Sequence, residues 1–385
     1  MLRTVPTMDR RSFLKLATLA SLTPAKGVEA LQTSRPLPSK RVLQLNAYPL
    51  DAETPLDLLT SYITPNDVFF VRSHFTQTRV DPDTWTLTVD GEVSRPIRLT
   101  LADLQRLPRV DATCVLQCAG NGRALFRPTV PGVQWQYGAV GNARWSGARV
   151  KDVLERAGLK ASARHLHTFG SDTPPQQVPP FHRSLEIEKV LQDGIIAYEM
   201  NGEPLSQDHG APARLVVPGW AGDHWMKWLR QISPSAAQQT GFYMDTAYRY
   251  PLRPGNPGQA FKPEEMRPVT ELFVKSNITS APPRARVGAP LIVRGVALSG
   301  APDIARVEIT EDAGLTWRPA DLDRQHDPYA WRLWSYRWKP PSAGSHRLAV
   351  RATDSRGSVQ PKEPVWNQSG YLYNGWHSVT IEVTS

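Results

Sequence analysis

The chain has 385 residues, of which 40% are hydrophobic and 9% aromatic, enough for substantial cores in two or three domains. Its 45 basic and 36 acidic side chains give a formal charge of +9, of which residues 31–385 carry +6. Because the arginines are scattered and no long basic run occurs, a nucleic-acid-binding protein is disfavoured, although the moderate excess could attract an anion or an acidic partner.

The N-terminus has the pattern of an export signal. "DRRSFLKLATLASLTPA" places adjacent Arg10 and Arg11 before a short apolar run, and Val28-Glu29-Ala30 offers a small-residue cleavage site. The run is too short to span a membrane. We therefore predict a twin-arginine signal peptide over residues 1–30 and a periplasmic location; the alternative is an ordinary basic leader. Twin-arginine export carries folded proteins, as a cofactor inserted before export would require.

Residues 31–250 are predicted to form a domain that mixes helices and strands. "TWTLTVDGEV" (84–93) alternates into Asp90-Gly91 and predicts a strand entering a hairpin turn. "LTLADLQRLP" predicts a short helix capped by Thr100, and "VKDVLERAGL" and "LEIEKVLQDG" predict two more helices, the former ending at Gly158. "DATCVLQC" and "ARLVVPGW" are typical of buried strands.

The character of the chain changes after residue 250. Residues 251–265 lie in a proline-rich stretch without a periodic apolar face and are predicted to be an interdomain linker. Residues 266–385 contain six short runs with strand-like alternation, among them "PLIVRGVALSG" and "WRLWSYRWKP". This pattern predicts an immunoglobulin-like β-sandwich, so the whole chain falls in the α+β class.

Cys114 and Cys118 are the two cysteines of the chain, and a disulfide is the first interpretation to consider for an exported protein. If "DATCVLQC" is a strand, residues four apart lie about 13 Å apart, beyond the reach of a disulfide. Cys114 then suits an inert buried thiol. Cys118 precedes Gly120 and Gly122, which would let the backbone come close to a ligand, and Arg123, whose guanidinium would favour a thiolate over a thiol. Such a thiolate would be a nucleophile or a soft-metal ligand. Without a second cysteine cluster, a metal on Cys118 would need ligands that are not protein.

Three motifs resemble the sulfite oxidase family of molybdenum enzymes. "LQCAGNGR" (116–123) is similar to its molybdenum-cysteine loop, "HGAPARLVVPGWAGDHWMKWL" (209–229) to its second long motif, and "FFVRSH" (69–74) to its first. "VEITEDAGLTW" and "WNQSGYLYNGWH" resemble its dimerisation domain, so that the similarity covers roughly residues 45–385. The resemblance implies a molybdopterin-binding domain with the sulfite oxidase fold, followed by a dimerisation domain with an immunoglobulin-like sandwich.

The resemblance also assigns roles to individual residues. Cys118 would ligate molybdenum, whose other ligands come from the dithiolene of molybdopterin and from oxygen. The further cofactor contacts would be Phe70, Arg72, Ser73, His74, Asp172, His209, Arg214, Trp225, Met226 and Lys227. The substrate pocket would comprise Arg72, Arg123, Trp135 and Tyr248, with two guanidinium groups matching the oxygens of sulfite.

This resemblance implies oxidation of sulfite to sulfate. Animal and plant members resemble "WNLRGV" where this chain has "WNQSGY", so Gln368 or Ser369 replaces an arginine of their substrate pocket. The chain has no CxxCH haem motif and no cytochrome b5-like segment, so an external acceptor, a c-type cytochrome, is expected. A homodimer through the C-terminal domain is a further expectation.

Two other functions stay open on the sequence. An exported molybdenum enzyme that reduces methionine sulfoxide would resemble the first domain but lack the C-terminal sandwich. A non-enzymatic secreted β-sandwich binding protein with a CxxxC disulfide would leave the histidine and arginine motifs unexplained. Metal content separates the latter from both enzymes.

Overall fold

The computed structural model describes residues 35–37, 40–76 and 79–385, so the predicted signal segment 1–30 lies outside the described residues. Residues Arg35–Ser385 form one compact unit. No helix within the described ranges is long and apolar enough to cross a membrane.

The N-terminal part of the chain contains sixteen strands among the described residues. They are β1 (Arg35–Leu37), β2 (Lys40–Asn46), β3 (Asp51–Glu53), β4 (Val71–Arg72), β5 (Thr86–Val89), β6 (Ile97–Thr100), β7 (Arg109–Gln117), β8 (Val140–Arg149), β9 (His165–Gly170), β10 (His182–Glu186), β11 (Ile195–Met200), β12 (Glu203–Pro204), β13 (Arg214–Val216), β14 (Leu229–Ser235), β15 (Arg249–Pro251) and β16 (Met266–Pro268). They form sheets in the orders β1-β2-β3-β4, β10-β9-β14-β5-β6 and β12-β11-β8-β7, with β13 paired to β11 and β15 to β16.

Three α-helices connect these strands, and their ends follow the predicted signals. They are α1 (Leu101–Gln105), α2 (Val150–Ala157) and α3 (Ile187–Asp193), joined later by a π-helical turn at Phe242–Thr246. Thr100 and Asp103 form a capping box at the start of α1, which satisfies backbone N–H groups that have no partner inside the helix. Gly158 ends α2 with φ +73°, a conformation that only glycine adopts without strain. The three predicted helices are confirmed.

The C-terminal part is a two-layer β-sandwich. Its strands are β17 (Lys275–Ser280), β18 (Arg284–Arg286), β19 (Leu291–Leu298), β20 (Ile304–Thr310), β21 (Arg318–Pro319), β22 (Asp321–Leu322), β23 (Arg332–Trp338), β24 (Gly344–Asp354) and β25 (His377–Thr384). The sheets have the orders β17-β19-β23-β22 and β18-β25-β24-β20-β21. Trp334 and Trp338, both on β23, are buried between them. The six predicted strand regions all contain strands.

The predicted linker is anchored at both ends. β15 pairs with β16, so residues 252–265 leave and return at the same place. Phe261 is buried within this excursion, and its N–H donates to Oε1 of Gln368 at 2.8 Å. The segment is therefore packed against the C-terminal part, while the domain boundaries 31–250, 251–265 and 266–385 stay predictions.

Both cysteines are free thiols, as the strand argument required. Cys114 lies on β7 with a fully buried side chain, and Cys118 follows directly after the strand ends at Gln117. The Cys118 N–H donates to the carbonyl of Ala139 at 2.9 Å. The end of β7 thus presents Cys118 at the mouth of a loop.

Candidate active site

A cavity of about 700 Å³ opens beside Cys118. It lies where β4, the end of β7 and the segments around Arg214 and Lys227 meet. Twelve of the fourteen predicted site residues line it, namely Phe70, Arg72, Ser73, His74, Cys118, Asp172, His209, Arg214, Trp225, Met226, Lys227 and Tyr248. The structure therefore gathers residues that are up to 178 positions apart into one concave site.

Burial dominates the chemistry of the Cys118 thiol. It raises the pKa of Cys118, although the charges of Arg72 and Arg123 and the Gly120 N–H oppose it. From the sequence alone, the guanidinium of Arg123 is expected to favour the Cys118 thiolate. In the structure, the desolvation of the thiolate outweighs the stabilisation by these charges, so a bound metal is needed to stabilise the thiolate.

The glycines after Cys118 make room for other parts of the protein. A Cβ on Gly120 would lie 2.6 Å from Nη2 of Arg123, and a Cβ on Gly122, whose φ is +88°, would lie 2.6 Å from Cβ of Tyr373. From the sequence alone, the space left by these two glycines is expected to admit a ligand. Both glycines instead allow the loop to close over Arg123 and onto the C-terminal part.

Two of the fourteen predicted residues, Arg123 and Trp135, do not line the cavity. Arg123 donates from Nε to the Ser369 carbonyl at 3.2 Å and from Nη1 to the Val133 carbonyl at 3.1 Å. Trp135 is fully buried. The guanidinium of Arg123 is held by backbone carbonyls from both parts of the chain, so Arg72 is the guanidinium beside Cys118 that the cavity exposes directly.

His74 and Tyr248 form a polar pair in the cavity wall. His74 Nε2 and the Tyr248 hydroxyl share a hydrogen bond of 2.6 Å, and the imidazole stacks on Phe181 with a centroid separation of 3.8 Å. Burial lowers the pKa of His74 well below its usual value, helped by the charge of Arg72, and burial raises the pKa of Tyr248 well above its own. At neutral pH both groups are therefore uncharged.

Another part of the cavity wall carries two cations that are short of negative partners. Arg214 donates from Nη1 to the His209 carbonyl and from Nη2 to the Trp225 carbonyl, but its buried Nε has no hydrogen-bond partner among the described residues. Lys227 donates to Ser73 Oγ at 2.8 Å and to the Asp208 carbonyl at 2.9 Å. Burial lowers the pKa of Arg214 to about 9 and that of Lys227 to about 7. This side is built to receive an anion.

Further residues around the cavity give it its shape. Phe70, Trp225 and Met226 are buried apolar walls, and Ser206 Oγ lies 3.1 Å from Nδ1 of the buried His209. Asp172 is half-buried, and burial raises the pKa of its carboxyl against the charge of Lys227.

A buried charged network behind Tyr248 was not predicted from the sequence. Arg183 forms an ion pair with Asp223 at 2.8 Å and lies 3.2 Å from Nε2 of His224. Its guanidinium also stands over the Tyr248 ring, 5.2 Å from the centroid. Asp223 and His224 lie inside the "GWAGDHW" part of the long motif, so the sequence could have marked them as site residues. Arg183 lies in "FHRS", which belongs to none of the recognised motifs.

The donor set fits a molybdenum cofactor that carries a phosphate. Cys118 supplies a single sulfur ligand, and Arg214 and Lys227 supply cationic donors to an anionic group. The unpartnered Nε of Arg214 supports this fit, because a buried guanidinium without a full set of acceptors is costly unless a ligand completes it. In the described part of the chain no cluster of three or more His, Cys, Asp or Glu side chains is placed to hold a metal ion.

The lowered pKa of Lys227 predicts pH-dependent anion binding by the cofactor-free protein. Lys227 carries its charge below about pH 7 and loses it above. Sulfate keeps its two negative charges over this range, so its affinity should weaken about 10-fold between pH 6 and 8.5, as expected for loss of a charge-assisted contact. Calorimetric titration with sulfate measures this.

The control for this prediction is Lys151→Met, which removes one exposed lysine and should leave the pH dependence intact. Lys227→Met should bind sulfate weakly at every pH. A wild-type affinity that stays constant from pH 6 to 8.5 would contradict the assignment of Lys227.

Comparisons with known proteins identify the families of both parts of the chain. Residues 74–243 match the family of the oxidoreductase molybdopterin binding domain, and residues 266–384 match the Mo-co oxidoreductase dimerisation domain. The chain is 37% identical to the mitochondrial sulfite oxidase of Homo sapiens over 357 residues, which cover 87% of this chain and 65% of that protein. It is 33% identical to the sulfite oxidase of Arabidopsis thaliana over 372 residues, or 89% and 94% of the two chains.

A solved structure extends the similarity to the fold. The sulfane dehydrogenase SoxCD from Paracoccus pantotrophus superimposes with a TM-score of 0.77 at 27% identity, covering 94% of this chain and 93% of that one. The chain spans about two thirds of the length of the mitochondrial relatives it matches. The predicted α+β fold class and the molybdenum cofactor are confirmed. The chain belongs to the sulfite oxidase family of molybdenum-cofactor oxidoreductases.

Proposed function

We propose that the protein oxidises sulfite to sulfate and passes the two electrons to an external acceptor, a c-type cytochrome. The observation that carries this proposal is the placement of Arg72, His74 and Tyr248 in one cavity with Cys118. Molybdenum-cofactor relatives that are named sulfite oxidases share 33–37% of their residues with this chain, which supports the choice of substrate.

The cavity supplies the charge that a small oxyanion needs. When bound, the molybdenum cofactor supplies oxygen transfer and accepts two electrons. Arg72 faces the same cavity as Cys118 and pairs with Asp51 at 3.1 Å, which fixes its guanidinium while leaving about a quarter of the side chain exposed. Its fork of N–H donors matches the oxygens of sulfite and orients the substrate at the cofactor.

The His74–Tyr248 pair holds a proton next to the reacting anion. Sulfite and one water give sulfate, two protons and two electrons, so the site must release protons during turnover. The Tyr248 hydroxyl is protonated and His74 is neutral at neutral pH, so Tyr248 can donate a hydrogen bond to the substrate while His74 accepts a proton. The nearby Arg72 keeps His74 from retaining that proton.

Location and partners form part of the same proposal. The twin-arginine pattern at Arg10 and Arg11 supports export of the folded protein to the periplasm, where c-type cytochromes reside. The +6 charge of residues 31–385 would favour an acidic cytochrome face. The match of residues 266–384 to a dimerisation domain supports a homodimer through the C-terminal sandwich.

A second candidate substrate is a sulfane sulfur. The protein of Paracoccus pantotrophus that superimposes over almost the whole chain is a sulfane dehydrogenase. Gln368 turns its amide toward Phe261 and Met266, and Ser369 turns its carbonyl toward Arg123, so neither residue supplies a cation to the cavity in place of the arginine of animal and plant members. The site is thus less cationic than theirs, which would also suit a less charged sulfur substrate.

Metal content and substrate assays test these proposals. We expect the full chain, produced in a host that makes the molybdenum cofactor, to contain about one molybdenum per chain and to reduce cytochrome c with sulfite. Without molybdenum, the non-enzymatic binding protein becomes the better explanation. Molybdenum with activity on methionine sulfoxide alone would favour the repair enzyme, although the match of residues 266–384 argues against it, and activity on a persulfide alone would favour the sulfane reaction.

A further inference from the structure

A segment of the C-terminal part reaches the active-site loop. The Leu372 N–H donates to the carbonyl of Ala119, the residue after Cys118, at 2.8 Å. The side chain of Asn367 clasps the backbone of Tyr371, accepting from its N–H at 2.9 Å and donating to its carbonyl at 2.9 Å. Gly370 passes so close to Arg123 that a Cβ there would lie 2.8 Å from Arg123 Cγ. These contacts hold Tyr371 in one place.

The ring of Tyr371 is stacked on the ring of Tyr248. The two centroids are 5.1 Å apart and the ring planes differ by 14°. Arg123 stands over the Tyr371 ring at 5.3 Å, and Arg183 stands over the Tyr248 ring at 5.2 Å. Each tyrosine therefore has the ring of the other tyrosine and a guanidinium group as neighbours, and both kinds of contact are attractive.

Tyr248 needs such support because its backbone is strained. Its φ is +53°, which a tyrosine adopts only when its surroundings impose it. The Val269 N–H donates to the Tyr248 carbonyl at 2.7 Å and fixes one side of the residue. The hydroxyl must also stay within 2.6 Å of His74 Nε2, and the ring of Tyr371, which stacks on the Tyr248 ring with the ring planes 14° apart, opposes rotation of that ring.

We propose that Tyr371 is a positioning residue: its ring, delivered by the C-terminal part, clamps Tyr248 so that the Tyr248 hydroxyl faces His74 and the substrate. The inference rests on the proposed function for Tyr248. The stacked ring carries most of the effect, and the Tyr371 hydroxyl, which accepts from the Tyr248 backbone N–H, adds to it. Tyr371→Phe therefore keeps the stacked ring, and Tyr371→Leu removes it. Tyr336→Leu, in the C-terminal sandwich and away from the cavity, is the control for loss of a half-buried tyrosine.

The first measurement does not depend on activity. Hydrogen exchange of the peptide spanning residues 242–250 should be equal in wild type and Tyr336→Leu, slightly faster in Tyr371→Phe and several-fold faster in Tyr371→Leu, while exchange in β7 and β8 stays unchanged. Equal exchange in Tyr371→Leu and wild type would overturn the proposal, whatever substrate the enzyme uses.

The second measurement uses the molybdenum-loaded enzyme and sulfite. With metal content unchanged, Tyr371→Leu should lower kcat about 2- to 10-fold, the range expected for loss of one aromatic pair, and shift the pH profile of kcat. Tyr371→Phe should lie much closer to the wild type than to Tyr371→Leu in both. Equal damage from Phe and Leu would show that the hydroxyl, not the stacked ring, carries the effect and overturn the clamp. A wild type that contains molybdenum but ignores sulfite would refute the proposed function alone, since the exchange result stands by itself.

Discussion

Cys118→Ser should lose more than about 100-fold in sulfite-dependent turnover, because loss of an outer partner of a metal ligand already costs 10- to 100-fold and Cys118 is placed to be the ligand itself. A serine hydroxyl is not deprotonated at neutral pH and is a poor match for a metal that binds sulfur. The steady-state rate per molybdenum, with metal measured on the same sample, tests this expectation.

Cys114→Ala is the matched control for this loss. Cys114 lies on the same strand, four residues away, fully buried in apolar surroundings, and burial raises the pKa of its thiol. Alanine removes one small buried group without introducing an unsatisfied hydroxyl, so the protein should fold, take up molybdenum and turn over at the wild-type rate. Equal loss of activity in both variants would count against an asymmetric role for the two cysteines.

The fold was largely predictable because its signals are local. Thr100 and Asp103 cap α1 by contacts within one turn, Gly158 ends α2 through its own backbone, and the period-two runs of the C-terminal part become strands of the sandwich. The packed course of residues 252–265 was not predictable, because it depends on Gln368, more than a hundred residues later in the chain.

The site divides in the same way. Motif residues such as Arg72, His74 and Lys227 were found from sequence and line the cavity. The family resemblance assigned Arg123 to the substrate pocket, yet its guanidinium donates to the carbonyls of Val133 and Ser369 and does not line the cavity. A hydrogen bond to a residue as far along the chain as Ser369 cannot be predicted from the local sequence.

The residues that sequence reasoning missed share one property, which is that they act on Tyr248 from elements distant in the chain. Arg183 approaches its ring from β10 and Tyr371 from the C-terminal part. Arg183 lies outside the motifs that were recognised, and Tyr371 lies in the "WNQSGYLYNGWH" stretch, which resembled only the dimerisation domain. Neither residue lines the cavity itself, although both contact Tyr248, which does. Only the tertiary structure shows that the ring of Tyr248 has these two neighbours.

Lys275→Met should stabilise the protein at neutral pH. Lys275 lies on β17, 2% exposed, and its Nζ has no hydrogen-bond partner within the described ranges. Burial lowers its pKa from 10.5 to about 7. Between about pH 7 and 10.5, Lys275 is protonated in the unfolded chain but neutral in the folded chain. The loss of folding stability is therefore largest at and below pH 7 and vanishes as the pH approaches 10.5.

Replacing this lysine by methionine keeps the length of the side chain and removes the charge. We expect a gain on the order of 3 kcal/mol in the free energy of unfolding at pH 7, shrinking as the pH is raised to 9.5. Urea unfolding followed by tryptophan fluorescence at the two pH values measures it, with exposed Lys339→Met as the control that should change little at either. A Lys275→Met protein that is destabilised at pH 7 would show that the ammonium group has a stabilising partner in the folded protein.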